Sequence, residues 1–193
     1  MSSRPSVVSY RLRNATAEDQ AALEALIACS ARELSAQDYT PQQIDGALRG
    51  AFGVDTQLIK DGTYFVVEAA GQIVGCGGWS RRRTLFGGDT HTERDAAELD
   101  PRVDAAKIRA FFVHPEHARR GIGKSILEHC EAEARSRGFS RFELMATLPG
   151  VRLYAALGYE PGTPVQHPLG AGFTIEFVPM RKIASIHACD PSV

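Results

Sequence analysis

The sequence lacks the features that mark membrane, secreted and nucleic-acid-binding proteins. No apolar run approaches the ~20 residues of a membrane span, and no apolar stretch follows the polar start, as a secretory signal requires. The 22 basic and 23 acidic side chains leave a net charge of −1, so charge gives no argument for nucleic acid or a membrane surface as partner. The four cysteines form no C-x-x-C pair, which favours reduced thiols over a metal site or a disulfide framework. We therefore expect a cytoplasmic protein with no metal.

Length and composition indicate an ordinary globular chain. The 193 residues correspond to one domain. Hydrophobic residues make up 44% and charged residues 23%, which excludes disorder as the overall state. We expect a single domain over residues 1–183 and a tail over 184–193.

Hydrophobic periodicity and turn residues predict the element order β-α-α-β-β-loop-β-α-β-α-β. The predicted strands cover 7–13, 63–68, 73–79, 108–113, 142–146 and 173–178, and helices are predicted over 17–34, from Thr40-Pro41, from Gly121 and over 151–157. Segments 80–104 and 160–172 show no sustained period and are expected to be loops. An early hairpin and a late β-α-β crossover together require a mixed, mostly antiparallel α/β sheet with helices on both faces.

The strongest local signal is a glycine-rich turn that joins a strand to a helix. Gly121 and Gly123 let the backbone approach a phosphate closely, and the N–H groups of a helix start favour an anion. Positive side chains follow the same turn, namely Arg119, Arg120 and Lys124. The spacing is neither that of a P-loop nor that of the three-glycine dinucleotide motif. A turn that merely needs glycines remains the alternative.

A second signal is the segment over 153–159, which directly follows a predicted strand. Tyr154 lies there on a short helix, close to the strand ends where α/β sheets open crevices. Its hydroxyl could protonate a leaving group of similar basicity. In isolation the same residue could be a tyrosine of the hydrophobic core.

In this order and at this separation, the two segments resemble the GNAT superfamily of acyl-coenzyme-A-dependent N-acyltransferases. The resemblance covers 106–159 by motif and 7–182 by element order. The glycine-rich family motif, Q/R-x-x-G-x-G/A, falls on residues 118–123, where Ala118 departs from the pattern in the first position. The segment over 153–159 resembles the family's F-Y-x-x-x-G-F segment.

The resemblance implies acetyl-coenzyme A as co-substrate and a set of site residues. The backbone that would hold the coenzyme pyrophosphate lies at Arg119, Arg120, Gly121, Ile122, Gly123 and Lys124. Phe112 and Val113 would offer backbone groups to the pantetheine arm, the Val113 N–H would face the carbonyl oxygen, and Tyr154 would be the general acid. The expected activity is direct transfer of an acetyl group to a primary amine of a small molecule or peptide. Two alternatives stay open: a protein N-terminal or lysine acetyltransferase, and a non-catalytic acyl-coenzyme A sensor.

Neither the general base nor the acceptor can be identified from the sequence. Four residues remain candidates for the base, namely Glu68, His114, Glu116 and Glu143. Tyr39 and Trp79 are candidate acceptor contacts, with core packing as their alternative. The run Arg81-Arg82-Arg83 in the predicted 80–104 loop suggests an acidic acceptor, or else a solvated loop. A homodimer is left open.

Overall fold

The described residues build one mixed sheet. This computed structural model describes residues 9–84, 87–89 and 97–184. Its strands are β1 (Arg11–Asn14), β2 (Tyr64–Ala69), β3 (Gln72–Ser80), β4 (Ala106–Val113), β5 (Arg141–Thr147), β6 (Glu160–Pro161), β7 (Val165–Gly170) and β8 (Phe173–Ile183). They follow the order β1-β2-β3-β4-β5-β8-β6, with β7 also paired to β8. β4 and β5 are parallel, and the remaining pairs are antiparallel.

Helices cover both faces of this sheet and create two hydrophobic cores. The helices are α1 (Gln20–Leu34), α2 (Pro41–Ala47), α3 (Thr56–Lys60), α4 (Ile122–Ser136) and α5 (Val151–Ala156). β2 alternates between the cores, as a strand buried on both faces must. Phe65 and Val67 pack with α4, whereas Tyr64 and Val66 pack with α1, α2 and α3.

Glycines in β3 allow close packing above and beside that strand. A Cβ on Gly75 would lie 2.5 Å from Ile122 Cγ2, and a Cβ on Gly77 would lie 2.7 Å from the Phe111 ring. Both distances are too short for real atoms, so Ile122 of α4 and Phe111 of β4 can lie where they do only because β3 has no side chains at these two positions. β3 thereby fixes the start of α4 next to β4.

A bulge in β4 reverses the direction of its side chains. Gly78 pairs with Arg109 and Cys76 with Phe112, so one extra residue is accommodated in β4. Ala110 takes the strain with a left-handed φ of 57°. As a result Ile108 and Phe111 contact the α4 core, while Ala110 and Phe112 contact the α1 core.

The mixed α/β sheet with helices on both faces was predicted correctly, and two local predictions were wrong. The hairpin, α4 and α5 lie where the pattern predicted them, to within two residues. The expected loop over 160–172 instead contains β6 and β7, and α3 was missed. The described residues do not include residues 7 and 8 of the predicted first strand or residues 185–193 of the expected tail, so the domain bounds remain a prediction. No described helix has the length and apolar character needed to cross a membrane.

Candidate active site

A cleft opens where β4 and β5 separate. The two parallel strands pair only from Ala106 to Ile108 on β4 and from Phe142 to Leu144 on β5. Beyond that point they diverge, and a cavity of about 680 Å³ extends between them. Its walls come from β4, α1, and the starts of α4 and α5. The separation of two parallel strands gives a ligand access to both faces of the sheet.

The turn before α4 forms one end of this cavity. Arg119 has φ 63° and Gly121 has φ 85°, so the chain bends sharply before the helix begins at Ile122. The first helical bond runs from the Ser125 N–H to the Gly121 carbonyl, and in the described part of the chain the N–H groups over 119–124 form no backbone hydrogen bond. This turn therefore presents a row of free donors at a helix N-terminus, as an anion site requires.

Cationic side chains cluster at the same end of the cavity. Arg119, Lys124 and Arg152 all line it and are all exposed. Lys124 has only a loose i,i+4 contact with Glu128, at 3.8 Å, which is worth little in water. This end is suited to a ligand with several phosphates. The structure thus brings together Arg119, Gly121, Ile122, Gly123 and Lys124 around one cavity with Phe112 and Val113. Of the coenzyme contacts predicted from the sequence, Arg120 does not line it.

Tyr154 lies on α5 against the same cavity. Only 8% of the residue is exposed, and its ring meets the Phe111 ring edge-on at 6.2 Å and the Tyr159 ring at 5.9 Å. Burial raises the pKa of its phenol well above the ordinary value, and the Cys130 sulfur adds to this effect. The hydroxyl therefore keeps its proton across the neutral range, as a proton donor must.

Ser30 on α1 faces the backbone of β4. Its Oγ accepts a hydrogen bond from the Val113 N–H at 3.3 Å. Ser30 is 5% exposed, yet it lines the cavity. The pattern of α1 gave no sign of this contact, since a serine on a helix usually faces solvent. A buried hydroxyl and a backbone donor thus lie together at the centre of the cleft.

The opposite end of the cavity is apolar. Phe52 meets Phe112 edge-on at 5.8 Å and Phe177 at 6.1 Å, and Met145 completes this wall. We call Phe52, Phe112, Met145 and Phe177 the aromatic wall. The bulge at Ala110 is responsible for it, since the bulge turns Phe112 towards the α1 core.

A buried ion pair closes the apolar end. Arg109 Nη2 lies 2.7 Å from Asp55 Oδ2, and the two side chains are 2% and 0% exposed. The same nitrogen donates to the Gly87 carbonyl at 2.7 Å. Breaking one partner of such a pair is costly. The pair therefore fixes Gly87 as part of the cavity wall.

Both candidate acceptor residues have structural roles instead. Trp79 is 0% exposed and lies in the α4 core, where its indole N–H donates to Glu133 at 3.1 Å. Tyr39 is 5% exposed; its hydroxyl donates to the Glu176 carbonyl at 2.7 Å and accepts from the Leu148 N–H at 2.8 Å. Neither residue lines the cavity, so the structure gives no support to Trp79 or Tyr39 as an acceptor contact. An aromatic residue near a strand end is equally typical of a core.

The arginine run over 81–83 does not line the cavity either. Arg82 binds both carboxylate oxygens of Asp61, at 2.7 and 2.9 Å, and Arg81 pairs with Glu98 at 3.1 Å. The Arg82 contact holds the chain after β3 against the end of α3, and the Arg81 contact holds it against the segment before β4. They give no support to the interpretation of the run as a grip on an acidic acceptor.

No candidate base lines the cleft. Glu143 pairs with Lys107 and Glu68 with Arg13, while His114 contacts Cys29 and Glu116 is exposed. Among the described lining residues there is no carboxylate and no imidazole. Within 9–84, 87–89 and 97–184, no three histidine, cysteine or carboxylate side chains cluster as metal ligands would.

Comparison with protein families identifies the class of this chain. The model of the acetyltransferase (GNAT) family matches residues 23–159. This range includes the turn over 119–124 before α4, which we call the anion turn, most of the cleft lining and Tyr154. The chain belongs to the GNAT family. As a family member it is an acyltransferase that depends on acetyl-coenzyme A.

Individual GNAT relatives are more distant. One curated relative, mouse N-alpha-acetyltransferase 80, is 47% identical over 55 residues, which are 28% of this chain and only 16% of that protein. A GCN5-related N-acetyltransferase from Rhodopseudomonas palustris shares the fold at a TM-score of 0.67 and 20% identity, over 92% of this chain and 98% of that one. An N-acetyltransferase from Thermoplasma acidophilum, solved with coenzyme A, has a TM-score of 0.63 at 14% identity, over 91% and 99%.

Proposed function

We propose that this GNAT protein transfers an acetyl group from acetyl-coenzyme A directly to the nitrogen of a primary amine, in the cleft between β4 and β5. The observation that carries the proposal is that a row of free N–H donors and a protonated tyrosine line one cavity. Acetyl-coenzyme A carries phosphates at one end and a reactive thioester at the other, so it needs both the N–H donors and a proton donor. The solved relative with bound coenzyme A has the same fold.

The coenzyme fits the residues of the cationic end. The N–H groups over 119–124 hold the pyrophosphate, and Gly121 and Gly123 keep Cβ atoms away from it. The Phe112 and Val113 backbone, where β4 has left β5, pairs with the amides of the pantetheine arm as an added strand would. When bound, the thioester supplies the activated acetyl group.

The chain's own groups then stabilise the charges of the transfer. The Val113 N–H, whose bond to Ser30 Oγ is long at 3.3 Å, turns to the acetyl oxygen, on which negative charge develops. The Ser30 hydroxyl, released from that contact, donates to the same oxygen. The amine nitrogen bonds to the acetyl carbon as the carbon–sulfur bond breaks. Tyr154 gives its proton to the departing sulfur and regains one from solvent.

The amine loses its proton to solvent rather than to a side chain of the described cleft. No carboxylate or imidazole lines the cavity in the described part of the chain. The site contributes by holding a neutral amine close to the acetyl carbon. Because an alkylamine is mostly protonated at pH 7, the rate rises with pH until the amine itself is neutral.

A protein N-terminus is the second candidate acceptor. The specific observation is the 47% identity to mouse N-alpha-acetyltransferase 80 over 55 residues. A small-molecule amine and a peptide N-terminus present the same nucleophile, so the chemistry above holds for both. Activity on peptides with a free, but not a blocked, N-terminus would favour this candidate.

The Tyr154→Phe variant tests the proposal. The variant keeps the ring contacts with Phe111 and Tyr159 and removes only the hydroxyl. We expect kcat to fall by about 10²–10⁴-fold, measured as amine-dependent thiol release, with the acetyl-coenzyme A Kd from calorimetry within a few-fold of wild type. Tyr159→Phe, which removes a hydroxyl in the neighbouring core, is the control. Wild-type turnover in Tyr154→Phe would overturn the role of Tyr154, and tight coenzyme binding without turnover on any amine would favour the sensor.

A further inference from the structure

We infer that the acceptor presents its single amine on an apolar body and that the aromatic wall holds this body. The inference rests on the proposed function and specifies the acceptor class. It starts from the unequal distribution of chemistry along the cavity: donors and cations at one end, aromatic rings at the other.

The aromatic wall is preorganised to receive an apolar group. Phe52 and Phe177 are 5% and 3% exposed and are locked in the α1 core. Phe112 is half-buried and packs edge-on against Phe52 at 5.8 Å. A ligand ring or aliphatic chain placed here would replace water against surfaces that already hold their positions, which favours binding.

The charge at this end is balanced before any acceptor arrives. Arg109, three residues from Phe112, is the cation of this part of the described lining, and it is held by Asp55 at 2.7 Å. The pair is almost fully buried. A second ammonium group on the acceptor would meet no carboxylate in the described lining. Burying such a charge without a partner is expensive.

We therefore expect the protein to use acceptors with an uncharged, apolar body better than acceptors with a second charge. A monoamine with an aromatic or branched aliphatic body, such as 2-phenylethylamine or the amide of a hydrophobic amino acid, loses only its own proton to react and buries its body. A diamine such as putrescine must also bury, or keep in water, a second cation. The same argument applies to a peptide, whose first side chain would occupy the aromatic wall.

The experiment compares 2-phenylethylamine with putrescine and combines this comparison with two aspartate substitutions. For the wild type we expect kcat/KM for 2-phenylethylamine to exceed that for putrescine by at least about 100-fold. Ala51→Asp places a carboxylate beside the aromatic wall; it should lower this ratio at least about 10-fold and leave the coenzyme Kd unchanged. Ala156→Asp makes the same change on α5 at the other part of the cavity wall, and it should leave the ratio unchanged.

The possible outcomes separate this inference from the proposed function. Equal or better kcat/KM for putrescine, in a reaction that Tyr154→Phe still abolishes, would overturn the apolar acceptor while the transferase activity stands. An unchanged ratio in a folded Ala51→Asp protein would overturn the place assigned to the acceptor body. Coenzyme binding without thiol release for any amine or peptide would overturn the proposed function, and the inference with it.

Discussion

At the scale of single residues, burial determines the protonation state of Tyr154 in the cleft. Tyr154 is surrounded by Phe111, Tyr159 and the α4 core, and the raised pKa of its phenol follows from the loss of water around the charged form. The protonated phenol persists as pH rises past the ordinary tyrosine value of ~10. Titration of Tyr154 should therefore contribute no fall in kcat at pH 8–9. The sequence pattern pointed to Tyr154 through the segment over 153–159 taken together with the glycine-rich turn, and the residue lines the cavity; its catalytic role stays a prediction.

Ser30 is the residue that sequence reasoning could not find. A serine in the middle of a helix has no pattern that distinguishes a buried, cleft-facing hydroxyl from a solvated one. The contact with the Val113 N–H depends on how α1 packs across β4. This is a property of the tertiary structure alone.

The Ser30→Ala variant should lower kcat more than it changes coenzyme binding. Removing one donor to a developing oxyanion costs as much as about 10²–10³-fold; because the Val113 N–H remains as the other donor, we expect about 10-fold. Ser35→Ala is a matched control, since Ser35 also lines the cavity at the end of α1 and is 6% exposed. Stopped-flow or thiol-release rates at saturating amine give the comparison. Equal kcat in the two alanine variants would exclude a donor role for Ser30.

At the scale of elements, the anion turn meets two requirements. It leaves N–H groups free for an anion, and it lets the start of α4 pack closely on α5. The left-handed angles at Arg119 and Gly121 bend the chain sharply beside the cavity, and the N–H groups over 119–124 form no backbone hydrogen bond in the described part of the chain. Gly123 serves a different end: a Cβ there would lie 3.0 Å from Leu153 Cδ2. The start of α4 is thus fitted against α5 and the segment that carries Tyr154.

Two substitutions of Gly123 distinguish the effect of side-chain size at this turn from the effect of negative charge. Gly123→Ala requires only a small shift of the flexible end of Leu153, so we expect the acetyl-coenzyme A Kd to rise by a few-fold at most. Gly123→Glu places a carboxylate among the phosphate donors and should weaken binding by more than about 100-fold. Calorimetry on proteins with wild-type circular dichroism checks both. Equal Kd values for the alanine and glutamate variants would show that the coenzyme phosphates do not bind at this turn.

Elements with strong periodicity were predicted well, and short elements were not. α4 repeats apolar residues at Ile126, Cys130 and Ala134, and the helix pattern is unambiguous. α3 has only five residues, too few for a period, and forms because Asp55 caps it through the Gln57 N–H at 3.2 Å. β7 contains Pro168, which is tolerated because β7 pairs with β8 alone. This segment is a strand because it pairs with β8, and not because its own residues favour extended structure.

At the scale of the whole molecule, the cleft exists because one parallel pair interrupts an otherwise antiparallel sheet. The crossover through α4 brings β5 beside β4, and the bulge at Ala110 then turns β4 away. Tyr64 Oη donates to the Ala110 carbonyl at 3.4 Å and so supports the strained residue from β2. The β-α-β order was predictable from the sequence, whereas an alanine with positive φ was not, because alanine rarely adopts that conformation.

The edge of the sheet is joined to the α1 layer by a partly buried charge network. Arg13 on β1 binds both oxygens of Asp19, at 2.7 and 2.9 Å, and also Glu68 on β2 at 2.7 Å. The Asp19 side chain is 13% exposed. Hydrogen bonding to Arg13 lowers the pKa of Asp19 from 3.8 to about 2. This network connects the start of the chain to the strand that bears both cores.

Acid should therefore weaken the molecule through Asp19. Because the folded-state pKa is depressed, the stabilisation is fully present above pH ~4 and is lost as pH falls from about 4 to about 2. We expect Asp19→Asn to lower the free energy of unfolding by on the order of 1–2 kcal/mol at pH 7, with a smaller difference from wild type at pH 2.5. Asp45→Asn is the control, since its pair with Arg32 is more than half exposed and should contribute nothing measurable. Urea unfolding at pH 7, 4 and 2.5 measures both variants; a constant difference between Asp19→Asn and wild type across this range would mean that the carboxylate charge is not what stabilises the edge of the sheet.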